Sequence, residues 1–355
     1  RDWRARVVSP VAAACRAKLV QDAECCLDEH LVGGVRKHYV RRDVEEWRCD
    51  HDCWDQRAGR RGADVMWVPE GADCSSPRLL YVHGGAWLYG SPEEDGYAPL
   101  ASKLAKSTGA VVLSLDYPLA PEGRLLGMVY QTLKGLEWLS RHGPPGCPPT
   151  LGNRTEEGTH PPLFIAGDSS GGGLALSAML ALKARRTLTS GGAAGVGPFG
   201  LGARVVEWLR KPEEMGSLDT SFSLSGSFLF SPWTNLECDT PSYFTNAFAS
   251  VKTKDHEYTD YVGDVVFRQE PAASAQSFRK TAKWVAGDDQ LLDDPVTSPM
   301  FAGPGLLSGL PPLLITVGSA ESILGDSVLV AQQAAAAGVD VVLDIFEGMW
   351  HVFPM

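Results

Sequence analysis

The sequence predicts an α/β fold with a largely parallel sheet, on three observations. Short apolar runs such as Leu79–Val82, Val111–Leu115 and Pro311–Val317 alternate with helix-compatible stretches. Leu163–Ala175 reads as strand, sharp turn and helix in immediate succession. Ser169, Glu321 and His351 each stand just past the end of a predicted strand, where one edge of a parallel sheet can gather them.

The chain has 355 residues, 44% of them hydrophobic, enough for a sizeable core in one large domain or two small ones. A net charge of −11 argues against nucleic acid or an anionic membrane as the main partner. No apolar run is long enough to span a bilayer, and the N-terminal residues do not read as a signal peptide. Because the first residue is Arg1, we expect that a leader was removed or the chain shortened. The eight cysteines and the sequon Asn153-Arg154-Thr155 leave open the secretory route, including the ER lumen, and the cytoplasm. Cys49-Asp50-His51-Asp52-Cys53 has no second ligand pair at zinc spacing, so we expect no metal there.

From the N-terminus, residues 1–60 contain a helical pattern over Pro10–Leu27, broken by Gly33-Gly34, and form either part of a cap or a packing extension. Ala63–Val68 and Leu79–Val82 read as strands. The second runs into His83-Gly84-Gly85-Ala86-Trp87, a turn whose glycine amides are unobstructed and suited to an oxyanion. Gly84 and Gly85 are the candidate donors, with the N–H of Ser170. His83 reads as a loop-holding residue rather than a proton carrier, and Trp87 as either pocket lining or packing.

Tyr97–Ser107 fits a helix and Gly109–Leu115 a strand. The strand ends in Asp116-Tyr117-Pro118-Leu119-Ala120-Pro121-Glu122, whose prolines predict a fixed loop with Asp116 in a structural role. Met128–Ser140 is an amphipathic helix, and residues 143–161 and 188–216 read as insertions. Between them lies Gly167-Asp168-Ser169-Ser170-Gly171, the pattern that holds a serine at a strained strand-to-helix turn. Only Ser169 has glycine two positions away on both sides, which makes it the nucleophile candidate.

Ser227–Phe230 is a strand entering a loop, and residues 240–290 suit a lid, with Tyr258–Phe267 read as helical. The chain returns to the core over 291–355, through the strand Pro311–Gly318, the helix Ser327–Ala337 and the strand Val339–Phe346. Serine at neutral pH needs a base, and the base needs a carboxylate to set its tautomer. His351 is the downstream histidine in the right place. Glu321 is the preferred acid and Asp326 its rival.

These motifs resemble the hormone-sensitive-lipase-like carboxylesterases of the α/β-hydrolase superfamily. The match runs from His83–Trp87 through Asp116–Glu122, Gly167–Gly172, Asp294-Pro295 with Ser298-Pro299, and Gly318-x-x-Glu321, to His351. The resemblance implies an eight-stranded, mostly parallel sheet flanked by helices, with a helical cap from residues 1–60 and 240–290 around a core of 61–239 and 291–355. It also implies hydrolysis of short- to medium-chain carboxylic esters without a cofactor. Trp87 and Asp168 are expected at the substrate, and a homodimer is left open. Pro118 stands where the family has arginine, Ser170 where it has alanine, and Glu321 where aspartate is commoner. An amidase, deacetylase or lactonase would use the same machinery. A ligand-binding receptor of this family would lack the histidine present here.

Overall fold

The apolar runs become the strands of one sheet. The computed structural model describes residues 4–8, 33–40, 64–94, 96–149, 161–190, 200–211, 215, 218–252, 259–267 and 271–355. The expected helix Pro10–Leu27, the Cys49–Cys53 stretch and Asn153 lie outside the described residues.

The strands are β1 (Arg4–Val8), β2 (Val35–Val40), β3 (Asp64–Pro69), β4 (Arg78–Val82), β5 (Val111–Leu115), β6 (Leu163–Asp168), β7 (Gly226–Phe230), β8 (Ala249–Lys252), β9 (Thr259–Val262), β10 (Leu313–Gly318) and β11 (Val341–Phe346). The main sheet runs β1-β11-β10-β7-β6-β4-β5-β3-β2. Among the described strands of this sheet, only the β2–β3 and β3–β5 pairs are antiparallel. The expected eight strands run from β2 to β11, and β1 adds a ninth at the β11 edge. Strands buried on both faces are mostly apolar, and all five residues of β5 (Val-Val-Leu-Ser-Leu) are buried, the Ser114 hydroxyl accepting from Trp67 Nε1–H at 3.0 Å.

The principal helices are α1 (Tyr97–Thr108), α2 (Leu125–Arg141), α3 (Ser169–Thr189), α4 (Ala203–Arg210), α5 (Pro271–Ala286) and α6 (Leu324–Ala336). A core between the sheet and α2, α3, α4 and α6 includes Leu80, Leu113, Leu133, Leu180 and Ile315. A smaller core lies under α1 and includes Trp67, Tyr81 and Ala101. Arg78 is buried, and its guanidinium donates to the carbonyls of Leu139 and Ser140, 2.9 Å each. These are the otherwise open carbonyls at the α2 C-terminus, where a cation is favoured. Beside them, Cys74 and Cys147 form a disulfide. Among the described residues no helix is long and apolar enough to cross a membrane.

One local expectation is corrected. Thr259–Val262 is a strand paired antiparallel with Ala249–Lys252, and only Val265–Phe267 forms a short 3-10 turn. β-branched and aromatic residues favour the strand, and Gly263 at φ +84 ends it. Within 188–216, α4 is amphipathic and buries Val205, Val206, Trp208 and Leu209 in the main core. The glycine-rich residues before it hide that pattern in the sequence.

β4 is the point at which the strand order reverses, since the chain goes next to β5 on one side and then to β6 on the other. The crevice beyond the carboxyl ends at such a reversal is where open α/β sheets place a site.

Candidate active site

Ser169 closes β6 and opens α3 with φ at +50. Left-handed backbone costs a non-glycine residue roughly 1–2 kcal/mol, so the surroundings must hold it. They do so through close packing of backbone on backbone. A Cβ on Gly171 would lie 2.1 Å from the Val82 carbonyl oxygen, and one on Gly167 would lie 2.6 Å from the Gly171 carbonyl. Gly173 meets the Trp233 carbonyl oxygen at 2.2 Å in the same way. Glycine lowers helix stability by about 1 kcal/mol per position. Here the alternative is a clash with backbone that cannot move. The Trp233 N–H donates to the Ser169 carbonyl at 2.8 Å and ties the elbow to the loop after β7.

His351 follows β11 and its ring reaches Ser169. Nε2 lies 2.8 Å from Ser169 Oγ, and Nδ1 lies 3.0 Å from Glu321 Oε2. A carboxylate only accepts, so Nδ1 carries the proton and Nε2 accepts from the serine hydroxyl. Burial opposes a charge on His351. The hydrogen bond and charge of Glu321, with the charges of Asp264 and Asp168, outweigh it and hold the imidazole above its ordinary value. Burial raises the Glu321 carboxyl above the usual glutamate value, while bonds from His351, Ser231 and Gly318 pull against that.

Asp326 is kept apart from the histidine. Its Oδ2 accepts from the N–H groups of Thr234 and Asn235 at 3.0 and 2.9 Å, and from the Tyr243 hydroxyl at 3.1 Å. Burial pushes its carboxyl well above the ordinary range. It anchors the loop after β7. Sequence reasoning missed Ser231, whose hydroxyl donates to Glu321 Oε1 at 2.6 Å and accepts from the Val352 N–H at 3.1 Å. Its signal is a polar residue at the carboxyl end of β7, level with the other site strands.

At the His83–Trp87 turn three expectations change. The Gly84 N–H, an expected oxyanion donor, donates instead to Asp168 Oδ1 at 2.9 Å. Asp168 is 2% exposed and also accepts from the Tyr81 hydroxyl at 2.7 Å, so it holds the turn rather than meeting a substrate. Burial raises its carboxyl to about 6, against the pull of Tyr81 and Gly84. Trp87, also expected at the substrate, is 1% exposed and packs against Trp233 with ring centroids 4.6 Å apart. Gly85 keeps its place in the turn at φ +102, where a Cβ would lie 2.2 Å from the Tyr89 carbonyl oxygen. Ser170 is fully buried beside it, and its Oγ accepts from the Trp87 N–H at 3.3 Å.

His83 stacks on Tyr117, centroids 4.4 Å apart, and its Nδ1–H donates to the Gly84 carbonyl at 2.8 Å. Burial lowers its pKa to about 4, so it stays neutral and braces the turn. Phe267 lies against the His351 ring at 5.1 Å, with Phe278 behind it. Among the described residues no group of three or more His, Cys, Asp or Glu is arranged to hold a metal.

A family model described as alpha/beta hydrolase fold matches residues 79–355. An acetyl-hydrolase of Streptomyces hygroscopicus is 28% identical over 275 residues, 78% of this chain and 67% of that protein. An esterase of Acinetobacter venetianus is 27% identical over 303 residues, 84% of this chain and 73% of that protein. In fold, the chain is similar to a crystal structure of an esterase from the bacterial hormone-sensitive lipase family. The TM-score is 0.59 at 22% identity, covering 94% of this chain and 82% of that one.

Proposed function

The chain belongs to the alpha/beta hydrolase family as a hormone-sensitive-lipase-like member, and on that premise we propose that it hydrolyses short- to medium-chain carboxylic esters through an acyl-serine. It is a carboxylic ester hydrolase. What supports the finer reading is the unbroken hydrogen-bonded run from Ser169 Oγ through His351 to Glu321, at 2.8 and 3.0 Å.

In the proposed reaction Ser169 Oγ attacks the ester carbonyl carbon while its proton passes to His351 Nε2. Glu321 accepts the hydrogen bond from Nδ1–H and stabilises the imidazolium. The carbonyl oxygen becomes an oxyanion, held by the N–H groups of Gly85 and Ser170. With Gly84 engaged by Asp168, the next amide along the turn, Ala86, is the proposed third donor. His351 then returns its proton to the leaving alkoxide, and the alcohol departs from an acyl-Ser169. Water attacks this acyl group with His351 again as base, which releases the acid and restores the serine. Bonds formed and broken balance without a cofactor. The name of the Streptomyces relative supports a short acyl group.

Purified protein should cleave p-nitrophenyl acetate and butyrate faster than palmitate. Ser169→Ala should lose at least ~10³-fold in kcat. Equal hydrolysis by wild type and Ser169→Ala would refute the serine mechanism, and a rate that climbs towards palmitate would refute the chain-length assignment.

A further inference from the structure

Two side chains from the stretch after β7 reach both loops that carry the acid and the base. Asn246 Nδ2 donates to the carbonyls of Ser319 and Glu321, 2.9 Å each. Asp264 accepts from the Ser322 N–H through Oδ2 at 3.0 Å and from the His351 N–H through Oδ1 at 3.1 Å. The pair is joined, since the Asp264 N–H donates to the Asn246 carbonyl at 2.9 Å. Gly263 makes this approach possible. Its φ is +84, and a Cβ there would lie 2.4 Å from the Ala247 carbonyl oxygen.

Asp264 is 0% exposed. A carboxylate so deeply buried is costly unless its oxygens are bonded, and here each oxygen is bonded to a different catalytic loop. Glu321 and His351 stand 30 residues apart, after different strands. The side chain of Asp264 is bonded to the backbone of both loops. We infer that Asp264, braced by Asn246, is a positioning residue that sets the Glu321–His351 geometry. The segment after β7 is then part of the catalytic assembly and not merely its cover. The inference rests on the serine-hydrolase reading above.

Three carboxyl groups face His351: Glu321 from the turn after β10, Asp168 from the elbow and Asp264 from this segment. All favour the imidazolium. Asp264 therefore acts on the base by position and by charge, and the two effects separate experimentally. Asp264→Asn keeps the shape, keeps one acceptor at most and removes the charge. Asn246→Ala loosens the brace and removes no charge.

With p-nitrophenyl acetate, Asp264→Asn should lower kcat at least tenfold with KM within threefold, since a small misplacement of catalytic groups costs up to ~10²-fold. Its acid limb in the pH–rate profile should move to lower pH. Asn246→Ala should lower kcat at least tenfold and leave the limb in place. Circular dichroism and melting report folding. A folded Asp264→Asn with kcat within twofold of wild type, or with an unmoved limb, overturns the inference. If Asp264→Asn does not fold, Asn246→Ala decides. A tenfold loss supports the inference, and a rate within twofold overturns it. Ser169→Ala run alongside tests the serine mechanism independently, because its result does not depend on Asp264.

Discussion

Replacing Glu321 with glutamine tests how the base is oriented, and the structure dictates which way the new amide must face. Glu321 Oε1 accepts from the Ser231 hydroxyl and the Gly318 N–H, while Oε2 faces His351 Nδ1 at 3.0 Å. The backbone N–H of Gly318 cannot become an acceptor. The glutamine carbonyl must therefore take the Oε1 place, which turns its NH2 group towards Nδ1. Facing a donor, Nδ1 gives up its proton and becomes the acceptor. The proton moves to Nε2, which now points a donor at Ser169 Oγ and cannot take the serine proton. A wrong tautomer of this kind costs about 10⁴ in kcat in serine triads, roughly 5.4 kcal/mol at 1.36 per decade. The assay is kcat on p-nitrophenyl acetate near pH 7.5, with melting to establish folding. Asp326→Asn is the contrast. Its carbonyl can keep all three donors from Thr234, Asn235 and Tyr243, so activity should stay within about twofold and stability within ~1 kcal/mol. A Glu321→Gln enzyme within tenfold of wild type, or a thousandfold loss in Asp326→Asn, would refute the assignment of the acid.

Ser231→Ala removes the hydroxyl that bridges Glu321 and Val352. Of the two hydrogen bonds lost, the one to Glu321, about 1–1.5 kcal/mol, predicts a kcat near tenfold lower with KM unchanged, read from steady-state kinetics. Because His351 is held above its ordinary value of about 6.5, the acid limb of kcat/KM should lie above that pH. The sign follows from the base being needed neutral, so activity appears as pH rises through the raised value. The same shift stabilises the fold fully below the unfolded value, and that contribution fades as pH climbs through the folded one. An acid limb centred below pH 6 would contradict this. Cys74→Ser opens a link across 73 residues, and chain entropy predicts a loss of about 4 kcal/mol in urea unfolding. Reductant should bring wild type to the same stability, and a variant as stable as oxidised wild type would refute the link.

The Gly167–Gly173 stretch is legible in the amino-acid sequence because its logic is local. A serine at a left-handed turn needs neighbours without a Cβ, and those neighbours lie within a few positions of it. The strands β4, β5, β6 and β10 are legible for a similar reason, since burial on both faces demands continuous apolar runs, whereas β1 and β2, in the stretch expected as cap or packing extension, are set by their pairing with β11 and β3. Thr259–Val262 is not legible either, because a short mixed segment carries too few residues to define a period, and its pairing with Ala249–Lys252 decides the outcome. The choice between Glu321 and Asp326 lies beyond the sequence altogether. The two are five positions apart, and only the packing of the turn after β10 against the loops after β7 and β11 assigns one to His351 and the other to Thr234 and Asn235. The same holds for Gly84, whose amide meets a carboxylate 84 residues away, and for Asn246 and Asp264, which bond to loops more than 50 residues further on. The sequence by itself therefore determined the backbone shape of the elbow and of the central strands, and the chemical types available. Tertiary structure decided which donor meets which acceptor, because a hydrogen bond depends on a few tenths of an ångström between groups that only the finished packing brings together.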